Sequence, residues 1–301
     1  MVTGRFAPSP TGPLHLGNLR TALLAWVSAR QDDGRFLIRM EDLDRITSSI
    51  EHARSQLADL ASLGIDSDIE VVLQSDRFDL HLEAVDELRY RGLVYRCYCT
   101  RREIREAASA PHGPVGSYPG TCRNLTAAQV AAHERDGRPA ALRLRSDGRR
   151  VDFTDLVAGE QSGVPDDVVL VRNDGTPAYN LAVVVDDHDQ GVTEVVRGDD
   201  LLDSTPRQLL IADLLGLDRP RHVHVPLVVG PDGERLAKRH GSVTLADLAK
   251  DGVTPREVLA GIAASLRWCD AGSRPTVAAD LIGRLDWASI PREPWCYDGW
   301  R

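Results

Sequence analysis

Several groups of residues in this chain have types and spacings suited to chemistry on anionic substrates. The first is Arg5-Phe-Ala-Pro-Ser-Pro-Thr-Gly-Pro-Leu-His-Leu-Gly-Asn18, which sets Arg5, Ser9, Thr11, His15 and Asn18 ahead of the apolar helix pattern Leu16, Leu19, Leu23, Trp26 and Val27. Its prolines fix φ and remove donors, while Gly12 and Gly17 allow close approaches, so the stretch reads as a stiff loop ending in a helix start. A helix N-terminus offers N–H groups and positive potential to an anion. The second group, Glu41 in Arg39-Met-Glu-Asp-Leu-Asp-Arg45, ends an alternating segment in charge and suggests a pocket rim. Lys238 lies in a charged loop flanked by Gly233 and Gly241, where a cation could close over phosphates. Cys97, Cys99, Tyr118 and Cys122 could surround zinc tetrahedrally with three thiolates and a phenol oxygen. His112 is an alternative fourth ligand, and three thiols packed without metal are the alternative to a metal site.

The elements that must position these groups follow from periodicity. Residues 35–40 alternate as a strand; Ser48-Ser-Ile-Glu51 reads as a capping box ahead of Ile50, Ala53, Leu57, Leu60 and Ala61 at helical spacing, closed by Gly64. Asp76 starts a further helix through Phe78, Leu82, Val85 and Leu88. This strand and helix order predicts a parallel sheet covered by helices, with ligands at the carboxyl ends of the strands. From Tyr95 to about Arg150 the pattern changes, as in an insertion between halves of the sheet. The sheet is predicted to resume at 167–172 and to continue through Tyr179 to the apolar run 181–185. A segment 193–200, a helix N-capped by Thr205 with Pro206 in its first turn, and a strand over 222–229 follow. Beyond the Gly230-Pro-Asp-Gly233 turn the chain reads as helical, with a capping box at Thr254-Pro-Arg-Glu257 and Val258, Leu259, Ile262 and Leu266 on the buried face.

Composition bounds the class. The 301 residues are 42% apolar, ample for a core, and carry a formal net charge of −9, so any contact with nucleic acid must be a local patch. Arg101, Arg102, Arg105, Arg123, Arg143 and Arg145 could supply such a patch or form a solvated face. The first residues lack a basic segment followed by an apolar one, and no apolar run approaches a bilayer span, so a cytoplasmic location is expected. Five cysteines, three of them within 26 residues, argue against a secreted disulfide framework; Cys269 and Cys296 read as isolated packing thiols.

The blocks Arg5-Phe-Ala-Pro-Ser-Pro-Thr-Gly12, His15-Leu-Gly-Asn18, Arg39 to Arg45, Tyr179-Asn-Leu-Ala-Val-Val-Val-Asp-Asp187, Arg197 to Gln208 and the Lys238 loop occur in the order found in class I glutamyl and glutaminyl tRNA synthetases. Over about residues 3–265 the chain resembles that group, and most of all its truncated branch. The resemblance implies an α/β fold: a Rossmann-like class I synthetase catalytic domain in two halves (1–95 and 151–240), a zinc-binding insertion (96–150) and a C-terminal helical subdomain (241–301) without an anticodon-binding domain. It implies ATP-dependent, tRNA-independent activation of L-glutamate to glutamyl-adenylate, with Mg2+ accompanying ATP, and transfer to the queuosine base in the anticodon arm of tRNA(Asp). Arg5, Ser9, Glu41, Tyr179 and Arg197 fall on glutamate-binding positions; His15, Gly17, Asn18 and Lys238 fall on the ATP side, with His15, Asn18 and Lys238 catalytic. The physics agrees: the arginines suit paired hydrogen bonds to carboxylates and Glu41 suits the ammonium. Asp186, Asp199 and Asp200 are expected to orient loops or the ribose. One structural Zn2+ per chain on Cys97, Cys99, Tyr118 and Cys122, and a monomer, complete the expectation.

The second signature departs from the group's pattern: Arg235-Leu-Ala-Lys238 stands where Lys-Leu-Ser-Lys or Lys-Met-Ser-Lys is usual, so Ala237 lacks a hydroxyl that could bond phosphate. A shortened glutamyl-tRNA synthetase charging a tRNA 3′ end and a non-catalytic RNA-binding paralogue are the alternative functions.

Overall fold

The computed structural model describes residues 1–108, with side chains to 104, and 118–234, 236, 243–269 and 274–300. Strand β1 (Thr3–Phe6) feeds the opening loop into helix α1 (Leu16–Gln31), whose N-cap is His15. Leu16, Leu19, Leu23, Trp26 and Val27 are all buried in the main core. Gly4 lets α1 lie close over β1, since a Cβ there would sit 3.3 Å from the carbonyl oxygen of Ala25. β2 (Arg35–Met40), α2 (Ile50–Ser62), β3 (Val72–Leu73) and α3 (Phe78–Tyr90) complete the first right-hand run of the sheet. The N-cap of α2 is Ser49, which accepts from the His52 N–H, one residue beyond the expected Ser48.

β4 (Val94–Cys97), α4 (Arg101–Ala108), α5 (Ala127–Arg135) and β5 (Ala141–Leu144) come next, then the hairpin β6 (Val151–Asp155) and β7 (Gly159–Gly163). β8 (Val169–Val171), α6 (Tyr179–Asp189), β9 (Glu194–Gly198), α7 (Thr205–Leu215), β10 (Arg221–Val225) and β11 (Val228–Val229) follow. The last elements are α8 (Leu245–Lys250), α9 (Pro255–Ser265) and β12 (Trp295–Cys296). The large sheet runs β3-β2-β1-β9-β10-β6-β7 and is parallel except for the edge strand β7. β1 thus lies inside the sheet between β2 and β9, and the loop after it opens at the carboxyl ends of those strands.

Two expectations for the middle of the chain are corrected. Residues 167–172 do not rejoin the large sheet: β8 pairs antiparallel with β5, in a three-stranded sheet β4-β5-β8. The run 181–185 is not a strand but the centre of α6. Leu181, Ala182, Val183, Val185, Asp186 and Asp187 are all buried in that helix. A short valine-rich run buried on all sides carries no periodicity that separates helix from strand. Two smaller differences have local causes. Thr205 begins α7 with Ser204 as its N-cap. The strand over 222–229 is split by Pro226, which has no N–H for a ladder and whose carbonyl instead accepts from Arg20 Nη1 at 2.8 Å.

Val258, Leu259, Ile262 and Ala263 of α9 are buried in the same core as the apolar residues of α1. The Thr254–Glu257 capping box forms as expected. β12 then pairs in parallel with β11.

Candidate active site

The carboxyl ends of the strands frame a cleft of about 360 Å³ lined by Arg5, Ser9, His15, Gly17, Asn18, Glu41, Tyr179 and Arg197, among others. These are all the expected glutamate and ATP residues except Lys238, which with Arg235 and Ala237 lies outside the described residues, as does His112. Long-range backbone and amide bonds hold the opening loop. Gln56 of α2 donates to the carbonyls of Ser9 (3.0 Å) and Gly12 (2.7 Å), the Ser49 N–H donates to Pro10 O at 3.0 Å, and the Glu41 N–H donates to Pro8 O at 2.9 Å. Glu41 is thereby tied to the loop that carries Arg5 and Ser9.

At the His15 end of the cleft, the helix start is not an open set of donors. His15 Nδ1 accepts from the N–H groups of Gly17 (3.1 Å) and Asn18 (3.3 Å), while Asn18 Oδ1 accepts from the His15 N–H at 3.1 Å. This reciprocal cap corrects the expectation that the N-terminal N–H groups themselves meet an anion. It places the ring proton on Nε2 and turns the Asn18 amide nitrogen away from its own cap, so the donors offered are on side chains. Gly17 leaves the cap room: a Cβ there would lie 3.1 Å from two ring atoms of His15, which would have to shift by a few tenths of an ångström.

The Arg5 end of the cleft is organised by buried charge. Arg5 Nε lies 3.3 Å from both carboxylate oxygens of Asp187, so it is paired with α6 rather than with Glu41. Arg39 also reaches Asp187 (2.8 Å) and Glu41 (3.5 Å), and bonds Gln190 at 2.6 Å. Burial pushes the Glu41 carboxyl up to about 7, against the pull of Arg39 and Arg5. Such a group ionises when a cation arrives. Arg197 is different: its donors end on His224 Nε2 (3.0 Å), Gln208 Oε1 (2.8 Å), Thr205 Oγ1 (2.8 Å) and Leu201 O (3.3 Å), all neutral. Burial lowers its pKa, and no carboxylate among the described residues bonds it directly. A buried guanidinium with neutral partners facing a cleft has the chemistry to accept a carboxylate. Burial and the nearby Glu41 raise the Tyr179 phenol, which stays a neutral donor.

Asp187, Arg39, Gln208, Thr205, His224 and Asp155 were not foreseen as parts of the site. Arg39, Asp187, Thr205 and Gln208 fall inside the ordered blocks, whose order does not assign them these contacts, and for His224 the sequence signal is the polar residue at alternate positions of an apolar strand, His222 and His224. Of the three acids expected to orient loops or ribose, Asp200 lines the cleft, whereas Asp186 is buried among Gln74, Arg77 and His81. Arg143 is also committed elsewhere, to the Asp167 carbonyl and to the ring of Tyr118, 3.7 Å from its centroid.

Away from the cleft, Cys97, Cys99 and Cys122 form a cluster whose sulfur atoms all lie within 4.8 Å of one another. Cys99 Sγ is 3.5 Å from Cys122 Sγ, and Tyr118 Oη is 3.3 Å from Cys97 Sγ and accepts from the Cys122 N–H at 2.8 Å. A tetrahedral zinc with thiolates at 2.3 Å separates its sulfurs by about 3.8 Å. The residues therefore fit a metal, with the phenol oxygen facing the sulfurs. Burial and the neighbouring thiols push Cys99 up to about 12, so a metal held here would have to displace the proton of that thiol. Asp166 and Asp167 join this module to the rest of the protein. Asp166 accepts from the Tyr118 N–H (2.9 Å) and from Arg207 of α7 (2.8 Å), and Asp167 binds Tyr95 Oη (2.6 Å) and Arg123.

A mostly parallel sheet with a two-ended cleft at its carboxyl edge, guanidinium and carboxylate at one end and a histidine-capped helix at the other, is the architecture of an α/β enzyme. Residues 1–289 match the family described as tRNA synthetases class I (E and Q), catalytic domain, and the chain belongs to that family of aminoacyl-tRNA synthetase-type ligases. It is 56% identical over 292 residues to the glutamyl-Q tRNA(Asp) synthetase of Nocardia farcinica, covering 97% of this chain and 92% of that one. The protein of the same name from Symbiobacterium thermophilum is 47% identical over 308 residues, covering 98% and 95%. Among solved structures, a glutamate tRNA ligase from Elizabethkingia meningosepticum, crystallised with its amino acid, aligns with a TM-score of 0.84 at 27% identity. That alignment covers 99% of this chain and 67% of the ligase. No helix among the described residues is long and apolar enough to cross a membrane.

Proposed function

We propose that the chain activates L-glutamate with ATP and Mg2+, without tRNA, and then transfers glutamate to the queuosine base in the anticodon arm of tRNA(Asp). The observation that carries the activation step is the single cleft holding Arg5, Glu41, Tyr179 and Arg197 at one end and His15, Gly17 and Asn18 at the other. Arg197 and Arg5 bind the carboxylates, Glu41 takes the ammonium, and Ser9 and Tyr179 supply hydroxyls and walls. A carboxylate oxygen of glutamate attacks the α-phosphorus in line, the bond to the β-phosphate oxygen breaks, and pyrophosphate leaves with its electron pair. The protein's work is positioning and charge stabilisation. His15 and Asn18 donate to phosphate oxygens from a cap already locked in place, and Lys238 is assigned to the leaving phosphates. A nucleophile on the modified base then attacks the mixed anhydride, and AMP leaves.

The choice of acceptor rests on the two relatives named for it, which align along more than nine-tenths of their own length. Cys97, Cys99, Cys122 and Tyr118 would hold one zinc, which supplies no chemistry to the cleft and fixes the antiparallel module on α7 through Asp166 and Arg207. The test is pyrophosphate exchange with glutamate in the absence of tRNA, followed by nuclease digestion of tRNA(Asp) charged with labelled glutamate. Exchange and label on the modified base are expected. Absence of exchange would overturn the activation step, and label on the 3′ terminal adenosine would identify a shortened glutamyl-tRNA synthetase instead.

A further inference from the structure

The parallel register of β9 and β10 sets His224 directly beside Arg197. His224 is 1% exposed and Arg197 5%. The ring is tied at both nitrogens. Nδ1 lies 2.6 Å from Asp155 Oδ2. That carboxylate also accepts the backbone N–H of His224 (3.1 Å to Oδ2), of Val157 (2.9 Å) and of Ala158 (2.7 Å). With Asp155 committed as an acceptor on both oxygens, the ring proton belongs on Nδ1. Nε2 therefore presents a lone pair, which accepts the Arg197 Nε–H at 3.0 Å and lies 3.2 Å from Thr205 Oγ1. Burial holds the imidazole below its ordinary pKa, consistent with a neutral ring.

The consequence concerns charge rather than packing. An arginine is commonly held in a protein by a carboxylate, which orients it and cancels it together; Arg5 and Arg39 are held that way by Asp187. In the Asp155, His224, Arg197 chain the carboxylate stands one imidazole further back, and the group touching the guanidinium is neutral. The geometry points to His224 as the positioning residue that aims Arg197 into the cleft without neutralising it, so that the full charge of Arg197 is delivered to a carboxylate of the amino-acid substrate. This rests on the reading that the cleft binds glutamate. It extends that reading by assigning roles to Asp155 and His224, which belong to strands β6 and β10 and do not line the cleft.

Calorimetric titration of glutamate into the purified full chain tests it without requiring turnover. His224→Ala removes the acceptor; His224→Gln restores an oxygen near the position of Nε2. The dissociation constant for glutamate should rise on the order of ten- to a hundredfold in His224→Ala, the worth of a hydrogen bond to a charged group, and return to within about threefold of wild type in His224→Gln. In pyrophosphate exchange, the KM for glutamate should rise in His224→Ala while the KM for ATP stays within about twofold, a split that general loosening of the fold does not produce. A thermal melt of each variant separates unfolding from loss of binding. Unchanged glutamate affinity in a folded His224→Ala, a parallel loss of ATP and glutamate affinity, or a His224→Gln as impaired as His224→Ala would each overturn the proposal. Wild-type protein that binds glutamate but gives no exchange would refute the proposed function and leave this assignment to the titration alone. Wild-type protein that binds no glutamate would overturn both.

Discussion

Glu41 makes the sharpest quantitative prediction. Its side chain is 9% exposed, bonds Arg39 at 3.5 Å, and titrates at about 7 because burial disfavours the anion more than Arg39 and Arg5 favour it. If Glu41 binds the substrate ammonium, only the ionised form is competent, and binding is linked to the loss of one proton below pH 7. The apparent KM for glutamate then scales as one plus the ratio of protonated to ionised Glu41, which gives a rise of about tenfold between pH 8 and pH 6. Glu41→Gln removes the slope and raises KM on the order of ten- to a hundredfold at pH 8, the worth of a charge-assisted hydrogen bond. Stability carries the opposite linkage. The folded pKa of this acid lies above its unfolded value of about 4.3, so the unliganded protein loses stability from this group as pH rises from there toward 7. Saturating glutamate should cancel that loss. The assay is glutamate-dependent pyrophosphate exchange from pH 6 to 8, with the KM for ATP as the control. A flat glutamate profile in the wild type, or the same slope in Glu41→Gln, would refute the assignment.

Three further outcomes are expected. Arg197→Met should cut kcat/KM for glutamate by at least about a hundredfold, because a buried charge with no replacement is lost, with the KM for ATP little changed; a loss under about threefold would remove Arg197 from the site. Gly17→Ala should lower the rate of exchange on the order of tenfold, since the new methyl displaces the His15 ring and loosens the cap, while the melting temperature stays near that of the wild type. Wild-type rates in that variant would mean that the ring's position is immaterial. Elemental analysis should find one zinc per chain in the wild type and none in Cys122→Ser, whose thermal midpoint should fall while exchange is retained, because the thiol cluster lies outside the cleft. Undiminished zinc in Cys122→Ser would exclude these ligands.

What could be read in the sequence, and what could not, divides along contact distance. Strand β2 and the capping box of α9 depend on residues within a few positions of one another, and residues 35–40 and Thr254 to Glu257 fall where their local chemistry puts them. The run 181–185 went the other way, because a valine-rich stretch enclosed by other elements has no solvent face to reveal its period. Strand β8 looked like part of the main sheet because alternation reports burial and not partner; only its pairing with β5 decides the sheet. The substrate-facing side chains were legible as residue types in ordered blocks. Their supports were not: Asp187 reaches Arg5 across 182 positions and Asp155 reaches His224 across 69, separations over which spacing carries no signal. The capped start of α1 was hidden for a related reason, since a histidine in a turn can offer its ring to its own helix or to a ligand and only the fold selects between them.

The central claim is that this cleft makes an activated glutamate destined for a modified base. The most direct measurement incubates the purified chain with labelled glutamate, ATP and Mg2+, and compares tRNA(Asp) that carries queuosine with the same tRNA lacking it. The account predicts label on the queuosine-bearing tRNA alone, recovered on the modified base after nuclease digestion. Equal labelling of both tRNAs, or label recovered at the 3′ terminal adenosine, would contradict it.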